Sequence, residues 1–403
     1  MSNSLSASFA EYMSRRMQRK YFKNAVYPII ANTEEVATLK KGDTLHRPYR
    51  STLVVNTVGT GGSYSRQDIT DGDEYLTVAT KKETTFYIEE FDEIQSNYAT
   101  ANLYADDAGM ALKLHIDGDV LGEYDIASST VDDGDIGGTA SNGLTLSISN
   151  ILAVFSKARK ALDSLNIPES DRWAIISPEF ADVLYQFLAG KESVLGDSTG
   201  QNGNIGKYAG FTLYKSNALG WSANLVVNST ATDTDTVVIA GVTFTFETST
   251  LTAAGMVKAE TSAAVCIDNL VAAINNSEAL AAATLGTAYY NISAANRAKL
   301  AGITATDNTT YMSLKGEGVG YVAVSETLTD TASIWTTTDQ IQHNLFGQGK
   351  PIDLVIQKYP KVQPEHRDGY IGRDIINSIL YGLKTFAEGA KCLVDVQIRS
   401  DAF

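Results

Sequence analysis

The chain has 403 residues, a net charge of −15, and a composition of 44% hydrophobic and 20% charged residues. That length exceeds one ordinary domain and suits two or three, each able to bury its own core. The acidic balance argues against a surface built throughout to grip nucleic acid, and no apolar run approaches the ~18 residues of a membrane-spanning helix.

Met1-Ser-Asn-Ser-Leu-Ser-Ala-Ser8 has neither a basic start nor an apolar stretch, so no secretory signal is expected. Arg15, Arg16, Arg19, Lys20 and Lys23 face a single acidic residue, Glu11, across this end of the chain. The pattern predicts a basic helix over about 9–23, either a solvated face or an arm that touches phosphate or an acidic partner. From 44 to 88 the reading is β, with strands over 51–57 and 75–80. They flank Gly59-Thr-Gly-Gly-Ser-Tyr-Ser-Arg-Gln-Asp-Ile-Thr-Asp-Gly-Asp73, a long polar tip rich in turn formers. A two-stranded ribbon is marginal in water, so this arm is expected to lie on something else, and in a homo-oligomer that is a neighbouring subunit.

A long helix is predicted over about 98–121. It carries Leu103, Met110, Leu114 and Leu121 on one side and Leu112, Ile116 and Val120 on the other, and so should be covered on both. An acidic, Gly/Ser-rich connection over 124–148 leads to a helix with Ile151, Phe155, Ala158, Leu162 and Leu165 in phase and Asn150 as its cap. The strand Trp173-Ala-Ile-Ile176 follows. Ser177-Pro178 then opens another helix, with serine as the cap and proline at the first helical position.

After Gly210-Phe-Thr-Leu-Tyr-Lys-Ser-Asn217 the composition changes. Residues 226–335 are crowded with Thr and Ala and hold ten acidic residues against four basic ones, Lys258, Arg297, Lys299 and Lys315. Strands around a glycine turn over 236–246, a helix carrying Ala263, Ile267, Leu270 and Ile274, and strands over 311–314 and 319–324 are enough for an independent domain. The interrupted unit then resumes with a strand over 351–357, a helix carrying Ile375, Ile376, Ile379 and Leu383, and a last strand over 392–398.

No catalytic, cofactor-binding or metal-binding constellation is legible. The four histidines are scattered, and the glycine clusters lack the endings of phosphate or dinucleotide loops. Asp117-Gly-Asp119 and Asp132-Asp-Gly-Asp135 do not match a calcium loop and read as turns. Cys266 and Cys392 lie in different apolar segments and are expected to be buried free thiols.

The order of elements, with Ala174-Ile-Ile-Ser-Pro-Glu-Phe-Ala-Asp-Val-Leu184 and Gly382-Leu-Lys-Thr-Phe-Ala-Glu388, resembles the major capsid proteins of tailed double-stranded DNA bacteriophages, the Hong Kong 97-type fold. The resemblance covers about 1–220 and 341–403. It implies an α+β fold with an N-terminal arm (1–43), an extended hairpin arm and adjoining strands (44–97), a spine helix and peripheral domain (98–205), and an axial domain (206–225 and 336–403). Residues 226–335 would be a mixed α/β inserted domain. The function implied is structural: a coat protein self-assembling into hexamers and pentamers around double-stranded DNA, without sequence-specific contacts, in the virion after assembly in the host cytoplasm. Portal and scaffolding proteins are implied partners; no cofactor and no membrane is. Arg50, Tyr64, Arg66, Asp68 and Asp73 would contact a neighbouring subunit, and Arg15, Arg16, Arg19, Lys20 and Lys23 the inner face or a partner. The alternatives are an encapsulin-type compartment, which shares the fold, and a carbohydrate-binding or adhesive protein acting through the Thr-rich block.

Overall fold

A computed structural model describes the chain apart from residues 1–23, 37–41, 63, 65, 92–99, 191–205, 261, 278–287, 318–321, 331–334, 336–339, 360–362, 367–370 and 400–403. In chain order, α1 (Tyr27–Ile30) and β1 (Ala31–Asn32) precede β2 (Thr44–Tyr49), β3 (Gly72–Thr77), β4 (Thr80–Glu89) and the long helix α2 (Thr100–Gly122). Next come β5 (Ser129–Val131), α3 (Ile151–Ser164), β6 (Arg172–Ile176), α4 (Pro178–Ala189), β7 (Lys207–Tyr208), β8 (Phe211–Lys215) and β9 (Trp221–Val226). The Thr-rich block holds β10 (Thr236–Ile239), β11 (Val242–Glu247), β12 (Met256–Lys258), α5 (Ala263–Asn275), α6 (Ala294–Lys299), β13 (Ile303–Asp307), β14 (Tyr311–Gly316) and β15 (Val324–Glu326). The chain closes with β16 (Ile341–Gln348), β17 (Ile352–Lys358), β18 (Gln363–His366), β19 (Gly372–Thr385), α7 (Ala387–Ala390) and β20 (Leu393–Arg399).

The largest sheet runs β13-β14-β9-β16-β6-β8-β7, with β20 also on β16 and β5 on β20. On one side of it α3 and α4 pack an aromatic core in which Phe155 meets Phe180 and Phe346 edge-on, with ring centroids 5.7 and 5.4 Å apart. The 3.6-residue period puts Ile151, Val154, Phe155, Ala158 and Leu162 on one buried stripe of α3, each large side chain contributing about 1.5–3 kcal/mol. Ser177 caps α4 as expected, its Oγ accepting from the Phe180 amide at 3.2 Å, with Pro178 in the first turn. Asn150 does not cap α3. Its carboxamide braces the preceding turn, accepting from the Ser147 amide and donating to the Thr145 carbonyl.

A second sheet, β1-β17-β19-β18 with β4 along β19, lies against α2. Here the expected helix carrying Ile375, Ile376, Ile379 and Leu383 is corrected: the segment is a strand, with Ile375, Asn377, Ile379 and Tyr381 buried and the residues between them more open. The α2 helix also differs from expectation. Leu112, Ile116, Val120 and Leu121 are buried, whereas Leu103 is exposed, so the second apolar face is incompletely covered within one chain.

In the Thr-rich block, β10 and β11 are joined by Ala240 and Gly241 at φ 53° and 69°, the left-handed pair that a two-residue hairpin turn demands. Of the strand expected over 319–324, residues 319–321 lie outside the described residues, and among the rest β15 begins at Val324. β14 returns from this block to pair along the whole of β9. Trp221, Ala223 and Leu225 of β9 therefore share a core with Phe244, Phe246 and Leu270. Cys266 is buried and Cys392 half-buried, and both are free thiols.

Candidate functional site

The hairpin arm is built from its root outward. β2 and β3 pair antiparallel from Thr44↔Thr77 to Tyr49↔Gly72. The strand expected over 51–57 is not there, and pairing occupies 44–49 instead. Alternation along the ribbon turns Leu45, Arg47, Glu74 and Leu76 inward and His46, Asp73 and Tyr75 outward. Leu76 and Val78 join Val355 and Phe386 in a small core of their own. Gly382 permits this close approach, because a Cβ there would stand 2.6 Å from the Thr77 carbonyl oxygen.

One charged clamp follows the apolar contact. Asp353 of β17 is buried, and Arg47 donates to both of its oxygens, at 2.7 and 3.0 Å. Asn32 donates to the same carboxylate at 2.9 Å. Arg47 also reaches Glu35 at 3.3 Å and lies over the Phe386 ring, 4.4 Å from its centroid. Across the ribbon, Glu74 accepts from the Ala387 amide at 3.1 Å.

Beyond Tyr49 and Gly72 the arm leaves the body. Val55 is 99% exposed and Tyr64 85%, with Leu53, Val54, Val58 and Ile69 all above 60%. A contiguous run of bare apolar side chains on a monomer marks a contact surface. The Gln67 carboxamide ties the arm to itself, exchanging hydrogen bonds with the Val54 amide and carbonyl. Of the residues expected at an intersubunit contact, Arg50, Tyr64, Arg66 and Asp68 are exposed on this arm. Asp73 is exposed at its root, bonded to the His46 ring at 2.7 Å. Arg15, Arg16, Arg19, Lys20 and Lys23 lie outside the described residues.

Three residues scattered in sequence do come together. Ser222 Oγ lies 3.0 Å from His343 Nε2, and His343 Nδ1 lies 2.8 Å from Asp395 Oδ2. The spacing is that of an activated serine, and sequence separation hid it: 121 residues divide Ser222 from His343. The surroundings are those of a brace. The three side chains span β9, β16 and β20, Ser222 is laddered on both sides, and the Tyr124 ring covers the imidazole at 3.8 Å.

A polar cleft of about 440 Å³ is lined, among others, by Thr77, Asp119, Glu123, Lys315, Glu317 and Tyr381. Its charges are largely engaged. Lys315 pairs with Asp125 and with Glu317 at 3.0 Å, and these partners outweigh its burial and raise its pKa. Burial, reinforced by the hydrogen bond to Asp119, pushes the Tyr381 phenol up, and burial pushes the Glu123 carboxyl up. The turn expected at Asp117-Gly-Asp119 is corrected: both aspartates lie inside α2. Buried Asp117 accepts there from the Val26 and Tyr27 amides at 2.7 Å and Asp119 from the Tyr381 hydroxyl, while Asp132 accepts from the Asp135 and Ser141 amides. Among the described residues no group of three metal-ligating side chains gathers, and no helix is long and apolar enough to cross a membrane.

No family model and no curated protein matches the chain. Solved structures do. One from Mycobacterium phage Che8 aligns with a TM-score of 0.58 at 13% identity, over 96% of each chain. The capsid of the cyanophage P-SCSP1u gives 0.55 at 13% identity, over 99% of this chain and 95% of that one. The asymmetric unit of the mature capsid of bacteriophage PhiM1 gives 0.50 at 11% identity, over 97% and 92%. At such identities the likeness establishes the fold, and it extends over nearly the whole length: the chain has the α+β fold of phage capsid subunits.

Proposed function

We propose that this chain is the major capsid protein of a tailed double-stranded DNA phage, assembling into hexamers and pentamers of an icosahedral head. The observation that carries the reading is the exposed apolar arm on a chain that matches phage capsid structures end to end. The arm over 50–71 lies on an adjacent subunit, where Val54, Val55, Val58 and Ile69 find the cover their own subunit does not give. Arg50, Tyr64, Arg66, Asp68 and Asp73 supply polar contacts around that apolar strip. Arg15, Arg16, Arg19, Lys20 and Lys23 touch the inner face or a partner, and the acidic bulk keeps packed DNA from adhering to the wall. Residues 226–335 form an inserted domain, and portal and scaffolding proteins complete assembly in the host cytoplasm.

Electron microscopy of the purified chain tests this, closed shells being the expected result. Serine at positions 54, 55, 58 and 69 should leave a soluble subunit that forms none. Normal shells from that variant would remove the arm from the assembly contact. Particles filled with protein rather than nucleic acid in producing cells would favour the storage compartment.

A further inference from the structure

We propose that Arg47 is the positioning residue of the arm, its clamp on Asp353 fixing the direction in which residues 50–71 leave the body. The inference rests on the reading of the arm as the intersubunit contact. Arg47 stands on the last rung before Tyr49 and Gly72 at which the ribbon touches the body, opposite Glu74. Inward of it Leu76, Val78, Val355 and Phe386 make apolar contacts that tolerate sliding and tilting, beside single hydrogen bonds from Gln357 to the Gly42 carbonyl and, on the rung of Arg47 itself, from the Ala387 amide to Glu74. A planar guanidinium held by two parallel hydrogen bonds tolerates neither. The acceptor is itself immobile: Asp353 lies in the ladder of β17 with β19, is buried, and is also held by Asn32. Phe386 beneath the guanidinium and Glu35 at its edge complete a three-sided seat drawn from three separate parts of the chain. Arm direction is thus set by the one bidentate contact, with the single hydrogen bond at Glu74 beside it, rather than by the apolar hinge beneath. An arm that must reach a defined patch on a neighbour needs that direction before encounter, because ordering it on contact would cost affinity.

The test uses the full chain with Cys392→Ser. Nitroxide labels at Thr60→Cys on the arm and Ser156→Cys on α3 are read by pulsed electron resonance in dilute unassembled protein. Removing Arg47 alone strands a buried carboxylate, so the decisive variant is Arg47→Ala with Asp353→Asn, with Arg47→Lys as the conservative partner. The expected result is a narrow arm-to-body distance distribution in the parent, one at least twice as wide in the double variant, and an intermediate one for lysine. The double variant should melt within a few degrees of the parent yet yield at least tenfold fewer closed shells. An unchanged width in the double variant would overturn the proposal, and so would a widened distribution with normal shells. The distances are read on unassembled chains, so absence of shells from the parent would count against the capsid reading while leaving the clamp decided by the label widths.

Discussion

Asn275, the last residue of α5, closes the free edge of β13. Its Nδ2 donates to the Ala305 carbonyl at 2.7 Å and its Oδ1 accepts from the Ala305 amide at 2.9 Å, a carboxamide in the place of a next strand. Ala305 is buried, so Asn275→Ala leaves two backbone groups without protein partners, at a cost of about 1–3 kcal/mol. Faster hydrogen exchange at the Ala305 amide and a lower urea midpoint would check it; unchanged exchange would show that water replaces the side chain without loss. A second residue-scale effect follows from Asp268 on the same helix. Burial, then the hydrogen bond and repulsion from Asp307, raise its carboxyl to about 6. A carboxyl whose folded pKa is raised binds more protons folded than unfolded, so stability falls as pH climbs from about 4 through 6. Asp268→Asn mimics the protonated form. Urea midpoints should match the parent near pH 4.5 and exceed it above pH 6, and equal midpoints throughout would refute the assignment.

At the scale of elements, β19 shows why part of the fold was hidden. Ile375, Ile376, Ile379 and Leu383 satisfy a helical period, while the true alternation puts Asn377 at a buried position and so conceals itself. Tertiary pairing decides the matter, since β19 is hydrogen-bonded to β4 along one edge and to β17 and β18 along the other. Alanine at the buried Ile379 should cost about 2–5 kcal/mol, and alanine at the half-buried Ile376 distinctly less; comparable losses in denaturant unfolding would favour a helical face. Chemistry confined to one turn was legible: Ser177-Pro178 announces its helix because cap and proline act locally. The arm was legible for its polar tip, but its strands lie at its root, pinned there by Leu76 and Arg47. The clamp itself was not legible, because Asp353 stands 306 residues from Arg47 and no local pattern pairs them.

For the whole molecule, β9 joins the Thr-rich block to the large sheet by belonging to both. It is paired with β14 over all six of its residues and with β16 at Ser222 and Trp221. Its buried face, Trp221, Ala223 and Leu225, packs into the core of the Thr-rich block. A fragment cut at 226–335 therefore loses the strand that covers β14, exposing a long edge and an open core, which is a setting for aggregation. A fragment over 219–336 keeps β9 and the bridge from Leu225 to Trp335. The longer fragment should unfold cooperatively in urea, as a closed core does, while the shorter should aggregate or unfold without a sharp transition. Equal cooperativity of the two would assign β9 to the body alone and make the block self-sufficient at its first strand. The expected outcome instead makes the block and the frame mechanically continuous, with force on one transmitted through the backbone hydrogen bonds of β9 to β16 and the large sheet behind it.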